Sequence, residues 1–152
     1  VPPNQSGVDV MQLRSAALAD LAAIEALLRA SNLPVAGVAE HLGNFIVLAD
    51  PPDVTGCGGI EYYEDFALIR SIAVASHAQG NGLGRAIVAR LIAACRARAV
   101  RSIGLLTTTA EDYFTGFGFV PVAREDVPRP LLASSQFQGV CPDAATAMLL
   151  AC

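Results

Sequence analysis

Residues Leu68 to Arg98 read LIRSIAVASHAQGNGLGRAIVARLIAACRAR, and the rest of the chain can be placed around them. An apolar strand, a loop dense in glycine and a long apolar helix follow one another. At the junction, Gln79-Gly80-Asn81-Gly82-Leu83-Gly84-Arg85, backbone N–H groups stand at a helix start with few side chains to cover them. Unpaired amides and the helix dipole both favour an anion there. The spacing excludes two common phosphate loops. The third glycine of Gly80-x-Gly82-x-Gly84 comes one residue too early for the dinucleotide fingerprint, with Arg85 in the place that glycine would take. A triphosphate loop needs a lysine, and every basic residue of this chain is an arginine. The plainer alternative is a tight strand-to-helix turn that holds no ligand.

The missing lysine also removes Schiff-base chemistry. A formal charge of −4 argues against a nucleic-acid partner, which calls for a basic face. A chain of 152 residues suits one domain, here residues 8–152 behind a flexible Pro-rich lead-in at 1–7. Hydrophobic residues outnumber charged ones 53% to 16%, which leaves apolar surface that a homodimer would cover. No apolar run reaches the roughly 18 residues of a membrane span, and no signal peptide is visible, so a soluble protein is expected. Cys57, Cys95, Cys141 and Cys152 are scattered without metal-ligand spacing. No metal is expected, and free thiols fit a reducing, cytoplasmic setting.

Upstream of the glycine loop, Val8 to Leu13 alternates as a half-buried strand does. Asp20 stands to cap a helix with the stripe Leu21, Ile24, Leu27 and Leu28, and Val38 to Leu42 reads as a short second helix. Phe45–Ala49, Thr55–Tyr63 and Ala67–Val74 form a meander, turning at Asp50-Pro51-Pro52-Asp53 and at Glu64-Asp65. Downstream come a helix over Leu83–Ala99, a strand at Ile103–Thr107 parallel to 67–74, a helix over Ala110–Phe117, and a strand at Phe119–Val122. A loop or short helix over Pro128–Gln138 precedes a last strand at Ala144–Leu150. The fold class is α/β, with order β-α-α-β-β-β-α-β-α-β-β and a mixed, mostly antiparallel sheet of about seven strands flanked by helices. A cleft is expected beside the glycine loop, where strands 67–74 and 103–107 diverge at their carboxyl ends.

Gln79-x-x-Gly82-x-Gly84 resembles the acetyl-CoA pyrophosphate loop of the GNAT superfamily of N-acetyltransferases. Ile72-Ala73-Val74 and Leu83-Gly84-Arg85-Ala86-Ile87 are similar to that family too, and the element order matches from about Val8 to Leu150. Leu105-Leu106-Thr107-Thr108-Thr109-Ala110-Glu111-Asp112-Tyr113-Phe114, then Gly118-Phe119-Val120-Pro121-Val122, resembles two branches. These are the arsenic-resistance N-acetyltransferases and the acetyltransferase domain of N-acetylglutamate synthases. Leu33 to Leu42, Gly56 to Glu61 and Arg70-Ser71 look most like the arsenic-resistance branch. The resemblance implies the GNAT fold, acetyl-CoA as co-substrate, and an amino-acid-sized amine as acceptor, such as an organoarsenical amino acid or glutamate.

It also implies roles. Gln79, Gly80, Asn81, Gly82, Leu83, Gly84 and Arg85 would hold the pyrophosphate, and the main chain of Ile72, Ala73 and Val74 the pantetheine arm, with the Ile72 N–H facing the thioester oxygen. Many relatives carry a carboxylate where this chain has Leu68. Glu61, in the neighbouring strand, is therefore the candidate base, acting through water with a pKa raised by partial burial; otherwise it is a solvated hairpin-end residue. Arg70, pointing with Ile72 and Val74, would pair with Glu61 or clamp a substrate carboxylate. Relatives often place a thiol-protonating tyrosine where this chain has Phe114. Tyr113 precedes it, about 100° away around a helix, and is the candidate acid or else a packing aromatic. Phe114 and Thr107 are read as contacting cofactor and Thr108 as contacting substrate; for the threonines an ordinary strand-end role is the alternative. Two further readings stay open: a protein or peptide amine as acceptor, and a non-catalytic acetyl-CoA sensor, suggested by Leu68 and Phe114.

Overall fold

The computed structural model describes residues 12–139 and 144–152. The expected lead-in at 1–7, the start of the expected first strand at Val8 and Cys141 lie outside the described residues. Seven strands form one sheet in the order β1-β2-β3-β4-β5-β7-β6. They are β1 (Gln12–Ser15), β2 (Phe45–Asp50), β3 (Asp53–Tyr63), β4 (Phe66–Val74), β5 (Ser102–Thr107), β6 (Val120–Val122) and β7 (Thr146–Ala151). Three α-helices accompany them: α1 (Leu21–Ala30), α2 (Leu83–Ala97) and α3 (Glu111–Thr115). Pairing is antiparallel for β1–β2, β2–β3, β5–β7 and β6–β7, and parallel for β4–β5. That is the mixed, mostly antiparallel sheet the sequence calls for. No helix among the described residues is long and apolar enough to cross a membrane.

The expected second helix is not one. Between Gly37, at φ 85°, and Gly43 the chain makes a turn at Val38 and then a 3-10 turn over Leu42–Asn44. The left-handed Gly37 turns the chain at the start of the segment, and Val38 is buried without a helix. Asp20 occupies the N-cap position of α1, but its carboxylate makes no cap bond. It accepts the Ala17 N–H at 2.7 Å and two hydrogen bonds from Arg14, at 2.7 and 3.0 Å. The fork geometry of that pair fixes the corner between β1 and α1 and holds the Asp20 carboxyl below its ordinary range.

The chain falls into two compact units. One runs to Gly59 and resumes over Ser71–Leu91. Its core packs Ile24 and Leu28 of α1 against Phe45, Val47, Cys57 and Ala73. Two glycines within β3 admit a close approach here. A Cβ on Gly58 would lie 2.7 Å from Ile87 and 2.9 Å from Leu91, so α2 sits directly on the β3 backbone. On the opposite face a Cβ on Gly59 would overlap the ring of Phe45. The other unit holds Ile60–Arg70 and Ile92–Cys152. Its core gathers Leu68, Val127, Leu131 and Ala147. Leu68 is therefore wholly committed to packing. Within this unit the parallel ladder pairs Phe66 with Ser102, Ala67 with Ile103 and Leu68 with Gly104.

The Gly59 contact generates a stability prediction. Gly59→Ala forces the Phe45 ring off its position and should destabilise the protein by about 1–3 kcal/mol. The loss reads as a lower urea midpoint at unchanged slope; an unchanged midpoint contradicts the packing described.

Candidate active site

β4 ends at Val74, where the Ala75 N–H donates to the Thr55 carbonyl at 2.7 Å and ties the strand end to β3. A 3-10 turn over Ser76–Ala78 leads to the glycine loop. Gly80 and Gly82 take φ of 89° and 74°, a region glycine enters without cost, and nothing lies within 4 Å of a Cβ built on either. The first bond at the start of α2 runs from the Ala86 N–H to the Gly82 carbonyl at 3.1 Å. The amides of Leu83 and Gly84, in the first turn, therefore have no acceptor within the helix. Arg85 is exposed in that same turn. An open loop of left-handed glycines leading into a helix start fits an anion on geometry alone. Gln79 takes a different place from the one its amide suggests. Its Nε2 donates to the Val74 carbonyl at 2.9 Å, so the side chain braces the loop against the end of β4.

Within β4, Ser71 stands at φ 62°, in the left-handed region for a residue that has a Cβ. A single left-handed residue inside a strand breaks the two-residue alternation of side chains. The expectation that Arg70 points with Ile72 therefore fails. After the break Ile72 lies on the α2 side, within 3.5 Å of a Cβ built on Gly58, and Ala73 joins the core beside Cys57. The Cys57 thiol donates to the Ser71 carbonyl at 3.3 Å, and burial pushes that thiol up to about 12. With both side chains given over to packing, Ile72 and Ala73 have only their main chain to offer a ligand.

Glu61 and Arg70 form a buried ion pair. Arg70 Nη1 donates to Glu61 Oε2 at 2.7 Å, and each side chain is 1% exposed. Of the sequence alternatives for Arg70, pairing with Glu61 is the one realised in this structure, and Glu61 is not a solvated hairpin-end residue. The other carboxylate oxygen, Oε1, accepts the hydroxyl of Tyr63, two residues along β3 on the same face. Ser134, buried in the segment that joins β6 to β7, also acts on the Tyr63 phenol and opposes that carboxylate's effect. Ser134 Oγ in turn accepts the Gln136 N–H at 3.1 Å. Burial, then the Glu61 carboxylate, push the Tyr63 phenol up to about 12. The i, i+2 spacing of Glu61 and Tyr63 was open to reading in the sequence. Ser134, seventy-odd positions along the chain, carried no signal.

Thr107 Oγ1 accepts the Ala110 N–H at 3.0 Å and shapes the entry to α3, while Thr108 is exposed. Phe114 is buried edge-to-face against Phe119, with centroids 5.9 Å apart. Tyr113 is 39% exposed and meets Phe114 and Phe117 edge-on at 5.3 and 5.4 Å. Adjacent on a short helix, the two rings thus divide as their angular separation requires, one inward and one towards solvent.

The model of the acetyltransferase (GNAT) domain matches residues 41–121 of the chain. Among solved structures, Rv2747 of Mycobacterium tuberculosis, in complex with CoA, is 23% identical, with TM-score 0.73 over 93% of this chain and 99% of its own. N-acetylglutamate synthase of Neisseria gonorrhoeae, complexed with coenzyme A and N-acetyl-glutamate, superposes at TM-score 0.80 with 19% identity. That match covers 93% of this chain but 35% of the synthase. A GNAT-family acetyltransferase of Staphylococcus aureus is 12% identical, at TM-score 0.74 over 93% of this chain and 98% of its own. At these identities the structural likeness speaks for the fold.

The Tyr63 network has an alkaline signature. The folded chain holds the Tyr63 proton more tightly than the unfolded chain does, whose phenol titrates near 10.0. Between that value and about 12 the unfolded state therefore binds fewer protons, and stability falls as pH rises. Urea midpoints measured through this window should decline less steeply in Tyr63→Phe than in the parent. Equal slopes contradict the hydrogen bonding described.

Proposed function

The chain belongs to the GNAT acetyltransferase family, and on that premise we propose that it moves an acetyl group from acetyl-CoA to the amine of a small amino-acid-like substrate by direct attack. The observation that carries this reading is the open glycine loop, with Gly80 and Gly82 left-handed and nothing within 4 Å of either Cβ position. Gly80 to Gly84 offer amides to the pyrophosphate, with Asn81 and Leu83 among them. Arg85 adds positive charge at the same helix start, and Gln79 keeps the loop in place from Val74. Bound acetyl-CoA supplies an activated thioester carbonyl.

The main chain of Ile72, Ala73 and Val74 lies along the pantetheine arm, and the Ile72 N–H stabilises charge developing on the carbonyl oxygen. Glu61 accepts the proton of the incoming ammonium, which reaches a carboxylate 1% exposed only through a neighbouring group. Tyr113, the exposed aromatic of α3, gives a proton to the departing thiolate, with Thr107 and Phe114 on the cofactor side. Thr108 contacts the acceptor, while Arg70, 1% exposed like its partner, holds the Glu61 carboxylate in place and does not meet the acceptor itself. Glutamate and an organoarsenical amino acid are the acceptors this reading favours. The support is the sequence likeness to the arsenic-resistance branch and the likeness in fold to N-acetylglutamate synthase.

A thiol-release assay over free amino acids tests it, with glutamate, its arsenical and phosphinate analogues, and peptides with free N-termini in the same panel. Turnover is expected on an acidic free amino acid, falling about 10²- to 10⁴-fold in Glu61→Gln. Turnover confined to the peptides overturns the small-acceptor reading.

A further inference from the structure

Glu61 cannot meet an amine itself. Its side chain is 1% exposed, and its oxygens accept hydrogen bonds from Tyr63 and Arg70. They are not equivalent as proton carriers. Arg70, on Oε2, presents a guanidinium that only donates and has no lone pair on which to take up a proton. Tyr63, on Oε1, has a hydroxyl that accepts a proton on a lone pair while releasing its own. Tyr63 is also only partly buried, whereas Glu61 is 0% exposed as a residue.

We propose that Tyr63 is the proton conduit between the acceptor amine and the buried Glu61 carboxylate. The proposal rests on the reading of Glu61 as the group that takes the amine's proton. The step balances without a co-reactant. An ammonium N–H bond breaks, directly or through one water, as a new O–H bond forms on Tyr63. The original Tyr63 O–H bond breaks as Glu61 Oε1 gains its proton, and the amine lone pair is released for attack. The two transfers are coupled, because a phenol pushed up to about 12 does not give a free phenolate near neutrality. The direction is already set in the structure, where the Tyr63 hydroxyl donates to Glu61 Oε1. The charged and titratable groups acting on Tyr63 are Glu61 from β3 and Arg70 from β4, with the neutral Ser134 hydroxyl completing the set.

The test is a set of pH–rate profiles for the parent, Tyr63→Phe and Glu61→Gln, on the best acceptor of the amine panel. Tyr63→Phe should lower kcat about 10- to 100-fold at neutral pH and leave the KM for acetyl-CoA unchanged. The deficit should shrink as pH passes the acceptor's own amine pKa, because an amine already neutral brings no proton to remove. Glu61→Gln should show the same pH-dependent deficit. A deficit of equal size at every pH marks a packing role and overturns the conduit, as does no deficit in Tyr63→Phe. A parent enzyme that turns over while Glu61→Gln is unimpaired overturns the reading of Glu61 and the conduit with it. A parent inert on the whole panel does the same. A measurement on the unmutated protein guards against a misfolded variant: the dependence of kcat on deuterium fraction should be curved, for two protons in flight. A linear dependence overturns the proposal.

Discussion

Two full charges sealed from water dominate the second unit. Removing a carboxylate and a guanidinium from solvent costs several kcal/mol for each, and their attraction offsets that only with good geometry and further hydrogen bonds. Glu61 and Arg70 meet the condition with a 2.7 Å contact and a phenol on the second carboxylate oxygen. The consequence is register. An apolar face tolerates small slips between strands, but a one-residue slip of β4 against β3 would turn Arg70 to the opposite face and leave both charges buried and alone. The Glu64-Asp65 turn brings the strands together, and the ion pair selects which residues face each other.

Directly after Arg70 the strand changes character. Ser71, left-handed at φ 62°, ends one alternation and begins another. Residues before it serve the core, as Leu68 does, or the ion pair. Residues after it pack Ile72 and Ala73 in different directions and run on to the strand end that Gln79 braces. Strained backbone persists where surrounding contacts over-determine it. Here the Cys57 thiol on the Ser71 carbonyl and the Ala75 amide on Thr55 do so from β3. One strand can therefore offer a charged side chain at one point and bare main chain a few residues later.

What the sequence disclosed follows the range of the forces involved. The glycine loop was legible because Gly80 and Gly82 need left-handed backbone that few other residues adopt, and because lysine is absent from the whole chain. The strands and the three α-helices were legible from periodicity, with ends shifted by a residue or two. Val38–Leu42 misled because its apolar pattern suits a helix, while Gly37 at φ 85° sends the chain into a turn there. Asp20 misled because a nearby arginine competed for the carboxylate a cap would have used. The break at Ser71 was invisible, since serine has no preference for that conformation and the sheet imposes it. The approach of Ser134 to this network was invisible for a related reason: it lies far along the chain, and hydroxyl spacing carries no period.

Every role assigned to β4 and α2 depends on the loop between them holding a diphosphate. Calorimetry comparing CoA with pantetheine, which lacks the diphosphate, measures that dependence directly, in the parent and in Gly82→Val. The parent should bind CoA far more tightly than pantetheine, and Gly82→Val should lose that difference while still folding. Equal affinity of the parent for the two ligands, or a Gly82→Val variant that keeps the preference, would contradict the account.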